Sequence, residues 1–124
     1  MIDFKNAEFL KLRPVENSTY ANDIEPMFVS GENIISTFRA IRDGVVFTNK
    51  RIFVINVQGI TGKKIDYTSL PYSKIQAFSV ETAGVIDLDT ELELWFSGLG
   101  KVKLEFISKA DIGSICRMIS NRVL

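Results

Sequence analysis

The sequence has no histidine, a single cysteine, three prolines, one tryptophan and no net charge. Each shortage excludes something. Without histidine there is no Ser-His-Asp or Cys-His nucleophile pair, no imidazole base near neutral pH and no imidazole metal ligand. The chain is therefore read as non-enzymatic, with no catalytic residue, no metal and no cofactor. One cysteine, Cys116, leaves no partner for an intrachain disulfide, which fits a reducing compartment. Its place in an apolar stripe marks it as a small packing side chain rather than a nucleophile. Fifteen Lys and Arg balance fifteen Asp and Glu, so no global field steers the protein onto nucleic acid or an anionic membrane. Nucleic acid is not an expected partner. Apolar runs are as short as Ile52 to Ile55, far below the ~20 residues that span a bilayer, so no transmembrane segment is expected. The opening Met-Ile-Asp-Phe-Lys-Asn-Ala-Glu is acidic where a signal peptide has a basic region followed by an apolar one. The expected location is cytoplasmic.

What is present describes one globular domain. A chain of 124 residues, 46% hydrophobic and 24% charged, has the size and composition to bury roughly two-thirds of its unfolded surface around one core. Its first thirty residues differ from the rest and predict a helical N-terminal extension over 1–30, with the domain proper over 31–124. Tyr20, Ile24, Met27 and Phe28 recur at helical spacing behind a cap from Asn17 or Ser18, and Pro26 should kink or end the helix. Residues 3–12 suggest a further short helix, closed at Arg13-Pro14.

From Asn33 the periodicity changes to two. Ile34 to Arg42 places Ile35, Thr37 and Arg39 opposite Ile34, Ser36, Phe38 and Ala40, and Asp43-Gly44 then reads as a two-residue hairpin turn. Val45 to Thr48, Arg51 to Val57 and Lys64 to Leu70 continue the meander, with Pro71 ending the last of these. Lys74 to Thr82 follows, with Ile75, Ala77, Ser79 and Glu81 facing away from Phe78 and Val80, and Ala83-Gly84 closes it. Glu91 to Ser97 points Leu92, Leu94 and Phe96 inward. After Ser97-Gly98-Leu99-Gly100, Val102, Leu104 and Phe106 do the same, so Glu91 and Glu93 can meet Lys101 and Lys103 across the hairpin. Ser108 with Asp111 resembles a capping box opening a helix whose stripe is Ile112, Ile115, Cys116, Ile119 and Val123. Seven strands and a helix predict a mainly β (α+β) fold, an antiparallel orthogonal sandwich or partly open barrel capped by the C-terminal helix.

Two short motifs have a plain reading. The alternating carboxylates Asp87, Asp89, Glu91 and Glu93 lack the Gly and the bidentate Glu that a calcium loop needs at its sixth and twelfth positions, where Leu92 and Gly98 stand. Gly59-Ile-Thr-Gly62-Lys63 has too few residues between its glycines, and no Ser or Thr after the Lys, for a phosphate loop. Two surface features carry more. Lys50, Arg51, Lys63 and Lys64 could form a local basic patch for an anionic ligand. The strand Arg51 to Val57 is apolar on both faces, Ile52 and Val54 against Phe53, Ile55 and Val57, where a strand with one wet face would alternate. With Trp95 and Ile107, Phe53 and Ile55 form an apolar surplus that either the N-terminal segment or another subunit must cover.

The stretches Arg42-Asp43, Phe47-Thr-Asn-Lys-Arg-Ile52, Gln58-Gly-Ile-Thr-Gly-Lys-Lys64, Leu70-Pro-Tyr72, Phe78-Ser-Val-Glu-Thr-Ala-Gly84 and Asp87-Leu-Asp89-x-Glu91-Leu92 resemble, in order and spacing over roughly Gly31 to Leu124, bacterial pleckstrin-homology domains of uncharacterised function. The resemblance implies seven strands in two nearly orthogonal sheets with a C-terminal helix at one corner. It also implies homo-oligomeric, ring-forming assembly, and it supplies no activity. Eukaryotic relatives bind phosphoinositide headgroups through basic residues flanking a long first hairpin loop, whereas the matching turn here is Asp43-Gly44.

The expectation is a binding or scaffold module that self-assembles through Phe53, Ile55, Trp95 and Ile107 and binds a protein or peptide partner. The alternative is a membrane-surface adaptor that binds anionic lipid through Lys50, Arg51, Lys63 and Lys64.

Overall fold

A computed structural model describes residues 11–81, 90–107 and 112–124. Alternation from Ile34 onward produces two antiparallel sheets. The first has five strands in chain order: β1 (Arg13–Val15), β2 (Ile34–Arg39), β3 (Gly44–Thr48), β4 (Arg51–Gln58) and β5 (Lys64–Pro71). The second has three, β6 (Ile75–Glu81), β7 (Thr90–Phe96) and β8 (Gly100–Phe106). A one-turn helix α1 (Ala21–Ile24) precedes β2, and helix α2 (Ile112–Val123) closes the chain. The seven expected strands are all present, and the short β1 is an addition.

Inward side chains of both sheets and α2 form one core. Phe38, Phe47 and Phe106 meet across it, Phe106 lying 4.8 Å from Phe38 and 6.2 Å from Phe47 between ring centroids. Leu92, Leu94, Val102 and Leu104 are each 0% exposed, and Ile112, Ile115 and Ile119 of α2 are buried against them with Cys116 and Val123 alongside. The proposed capping pair Ser108 and Asp111 lies outside the described residues, as do Ala83-Gly84 and the segment 3–10. Glu91 and Glu93 form the expected cross-hairpin ion pairs, with Lys103 at 3.3 Å and Lys101 at 3.6 Å.

The sheets do not close into a barrel. One corner is joined by backbone: the Leu12 N–H donates to the Glu105 carbonyl at 2.9 Å and the Ile107 N–H donates to the Leu12 carbonyl at 3.0 Å. At the opposite corner β5 passes into β6 through a 3-10 turn, Tyr72–Lys74. Among the described residues nothing pairs with the outer edge of β5 or of β6. Tyr72 anchors this corner from within, its hydroxyl donating to the Thr48 carbonyl at 2.7 Å.

Three local expectations are corrected. Asp43-Gly44 is not a two-residue turn: the connection is Ala40 to Asp43, closed by the Ala40 N–H on the Asp43 carbonyl at 2.8 Å, and Gly44 already belongs to β3 without positive φ. What Gly44 supplies is space, because a Cβ there would lie 2.5 Å from the Tyr20 ring. The strict alternation of two strands is broken by register shifts between Ile34 and Ser36 and between Ile75 and Ala77. One extra residue inverts the facing of whatever precedes it. Ile75 thus joins Phe78 on the core side, and Ile34 packs on the face opposite to Phe38. Finally, the N-terminal helix is broken into 3-10 turns at Asn17–Thr19 and Glu25–Met27 around α1. Asn17 and Ser18 cap nothing, and the Asn17 amide instead donates to the Ile35 carbonyl at 3.4 Å.

Candidate functional site

β4 carries Arg51 and the two-faced apolar run, and the fold sends its two faces to different places. Its inward Ile52 and Val54 join the main core. Its outward Phe53 and Ile55 are each 1% exposed, covered within the chain by Ile24 of α1 with Tyr20 and Phe28. The Phe28 ring stacks on Phe53 at 6.0 Å. The segment from Asn17 to Asn33 is therefore a strap across the outer face of the first sheet. An interface through Phe53 and Ile55 would require the strap to move. Trp95 and Ile107 are half-buried.

Arg51 holds the strap. Its Nε donates to Glu32 Oε2 at 3.0 Å and its guanidinium to Glu32 Oε1 at 2.8 Å, a two-point pairing that a planar guanidinium matches. The same group reaches the Met27 carbonyl and Ser69 Oγ, and it lies 4.3 Å over the Phe53 ring. The Glu32 side chain is 0% exposed. Burial pushes its carboxyl pKa up, but the hydrogen bonds from Arg51, Thr48 and the Val29 N–H outweigh that, and the net shift is downward. Thr48 Oγ1 donates to Glu32 Oε2 at 2.7 Å and accepts the N–H groups of Lys50 and Arg51. Asn49 accepts from the Asn33 N–H at 2.8 Å and donates to the Gly31 carbonyl at 2.9 Å. Thr48-Asn49-Lys50-Arg51, one of the stretches behind the family resemblance, is a clamp for the strap, and Arg51 is committed to it.

The four predicted basic residues do not form one patch. Lys50 and Arg51 stand at the start of β4, whereas Lys64 pairs with Gln58 at its end. The eight residues of β4 separate them by roughly 23 Å at about 3.3 Å per residue. Lys63 and Lys64 are exposed and have different company. The Arg42 guanidinium, from the β2–β3 loop, donates to the Gly59 carbonyl of the β4–β5 loop at 2.5 Å. Gly59 and Gly62 take positive φ, +79° and +67°, and the Gly62 N–H also donates to the Gly59 carbonyl, at 3.4 Å. This loop end carries exposed Arg13, Arg39, Arg42, Lys63 and Lys64, with Arg13 directly opposite Arg39 across β1 and β2. Like charges so placed cost stability. Asp43 is turned inward, accepting from Asn56 Nδ2 at 3.0 Å and the Val57 N–H at 3.2 Å. Sequence reasoning found Lys63 and Lys64 and missed the arginines, because strand register, not spacing along the chain, gathers them.

At the open corner a second feature emerges, a groove of about 520 Å³ lined by Ser69, Leu70, Lys74, Ile75, Phe96 and Leu99 among others. Among the described residues no group of His, Cys, Asp or Glu has the arrangement of a metal site. No described helix is long and apolar enough to cross a membrane.

Two antiparallel sheets joined at one corner, with a C-terminal helix packed between them, define a pleckstrin-homology-like domain. The chain belongs to the bacterial PH domain family: the family model described as "Bacterial PH domain" matches residues 3–123. It is similar to the uncharacterized protein YjqA of Bacillus subtilis, 41% identical over 100 residues that cover 79% of this chain and 80% of that protein. A crystal structure of a DUF1696 family protein with a pleckstrin-homology domain from Shewanella loihica superposes with a TM-score of 0.80 at 40% identity, covering 93% of this chain and 99% of that one. A pleckstrin homology domain from Shewanella amazonensis gives 0.65 at 38% identity, covering 89% and 90%. Domains of this family are typically non-enzymatic binding modules, and the fold is consistent with that role.

Proposed function

We propose that this chain is a non-enzymatic cytoplasmic scaffold that assembles into a homo-oligomer and binds a protein or peptide partner. The observation that carries the reading is the open corner. The outer edges of β5 and β6 are both unpaired among the described residues, and the groove beside them sets Leu70, Ile75, Phe96 and Leu99 among polar side chains. An unpaired edge offers a row of backbone donors and acceptors to another strand, and a subunit edge satisfies it as well as a peptide does. Joining β5 of one copy to β6 of the next is head-to-tail, an arrangement that gives a ring where the rotation between copies closes and a filament where it does not. Trp95 and Ile107 belong to the interface in this reading. Phe53 and Ile55 support it from beneath the strap. In this reading the extension, 1–30, serves the domain, 31–124, as a packed appendage, which the burial of Leu12 and Ile24, each 0% exposed, supports.

Light scattering at micromolar concentration tests assembly. A defined oligomer is expected, and Ile65→Pro, at an exposed position of β5, should dissociate it while circular dichroism shows that the variant still folds. A wild-type protein that is monomeric throughout would defeat the proposal.

A second reading, a membrane-surface adaptor, is favoured by the cationic loop end. It rests on Lys63 and Lys64 with Arg42 in place of Lys50 and Arg51.

A further inference from the structure

The strap leaves the first sheet after β1 and returns to it at β2, two strands that pair with each other, Val15 opposite Thr37. Its outgoing and returning limbs enclose a cavity of about 580 Å³, a size at which small molecules are held. Ala21 on the outgoing limb, Phe28 on the returning one and Ile34 at the start of β2 give it an apolar wall. Phe28 is fixed there by its stack on Phe53. The polar groups are Asn17, Ser18, Glu25 and Asn33. The Asn17 amide group donates to the Ile35 carbonyl and leaves its oxygen as a spare acceptor. The backbone N–H and carbonyl of Asn33 are both taken by Asn49, so its side-chain amide is what it offers. Among the described residues nothing pairs with the Glu25 carboxylate or the Ser18 hydroxyl, and no Lys or Arg lines the cavity. Glu32 also lines it, but its carboxylate is held by Arg51 and Thr48.

We infer that the cavity between the limbs of the strap binds a small primary ammonium on a compact apolar body, with its N–H groups on the oxygens of Glu25, Asn17 and Asn33 and its body against Phe28, Ala21 and Ile34. The balance of donors and acceptors selects the charge. A carboxylate only accepts, and the amide oxygens add two more acceptors, whereas an ammonium has three donors and no acceptor. An anion would face Glu25 with no described cation to offset it, and a neutral alcohol would bring a single donor. The apolar wall selects an amine that carries a short hydrocarbon or ring over a bare ammonium ion. A ligand touching Glu25 on one limb and Asn33 on the other ties the two together, so it holds closed the strap that covers Phe53 and Ile55. The site is independent of the assembly and lipid readings, because none of its residues belongs to the open corner or to the cationic loop end.

The test is an amide-resolved nuclear magnetic resonance titration of the full chain with phenethylammonium chloride, at constant ionic strength. Saturable shifts are expected at the backbone amides of Ser18, Ala21, Glu25 and Asn33, with a midpoint on the order of 1 mM for so small a ligand. Phenethyl alcohol and phenylacetate, which keep the ring and change the charge, should leave those amides in place. Glu25 is exposed, so Glu25→Gln should fold, as circular dichroism checks, and should weaken binding about tenfold through loss of one charge-assisted hydrogen bond. The ammonium should also raise the thermal midpoint of wild type, since it binds the closed strap and not the unfolded chain, and raise that of Glu25→Gln less. Nα-acetyl-lysine methylamide, which presents the same ammonium on a peptide stem, should bind more weakly than phenethylammonium. Tighter binding of the lysine derivative would overturn a free amine in favour of a lysine side chain from a protein. Shifts that do not saturate, that map outside the strap, that appear equally with the alcohol, or that are unchanged in Glu25→Gln would each overturn the site.

Discussion

Arg51 shows how much one side chain can alter a functional reading. On sequence it is a candidate ligand-binding cation. In the fold its donors go to Glu32, Met27 and Ser69 and its plane to Phe53. Breaking a buried ion pair by removing one partner costs about 3 to 5 kcal/mol, because the other charge is left without compensation. Glu32→Gln should therefore lower unfolding free energy by on the order of 3 kcal/mol in urea titrations, and unchanged stability would show the clamp to be dispensable. The carboxyl's lowered pKa sets a sign for pH. Its contribution is complete above the ordinary carboxylate value and is lost as pH falls below that value through the lower folded pKa. Wild type should lose stability over that acid range more steeply than Glu32→Gln. Gly44 makes a second case. Gly44→Ala places a methyl against the Tyr20 ring and should cost about 1 to 3 kcal/mol by overpacking. Part of that should return in Gly44→Ala/Tyr20→Leu, and a double-mutant cycle with zero coupling would contradict the contact. Cys116, half-buried with its thiol pKa raised by burial, should react with thiol reagents many times more slowly than in the unfolded chain.

Among the segments, the strap and the bulged strands separate what local pattern reveals from what it does not. Alternation located the strands, since period-two apolar spacing follows from strand geometry alone. It misplaced Ile34 and Ile75, because a bulge depends on the partner strand and leaves no mark in one strand's own spacing. Helical spacing marked Ile24 as an inward residue of the strap, though not the break-up into 3-10 turns, where docking on β3 and β4 outweighs continuous helix. Ile24 touches Val46, Phe53 and Ile55 in the second core. Ile24→Ala should cost about 2 to 5 kcal/mol by cavity formation, seen as a lower denaturation midpoint. A loss of only a few tenths would mean that the strap is loosely held.

Considered as a unit, the chain has two cores separated by one sheet. Val45, Phe47, Ile52 and Val54 serve one side, and Val46, Phe53 and Ile55 the other. Because the same strands hold both, the cores should melt together. Trp95 fluorescence and far-ultraviolet circular dichroism should give coincident denaturation curves. A chain shortened to residues 31–124 should fail to fold, having lost Leu12 and Ile24 and bared Phe53 and Ile55. An independent early transition, or a well-folded shortened chain, would show the strap to be an accessory.

Strand positions, inward side chains from Leu92 to Phe106, the terminal helix and the lack of histidine chemistry are all present in the order of residues, because each depends on a neighbour within a few positions. The candidate site is not. Lys50 and Lys63 flank β4 in sequence and stand at its opposite ends, whereas Arg42 and Lys63, further apart in sequence, lie on adjoining loops. An extended strand carries nearby residues away from one another, and antiparallel pairing returns distant loops to the same end. Whether Phe53 and Ile55 faced water, a second copy or their own N-terminal segment was likewise a question of packing, and Arg51 with Glu32 settles it in favour of the strap.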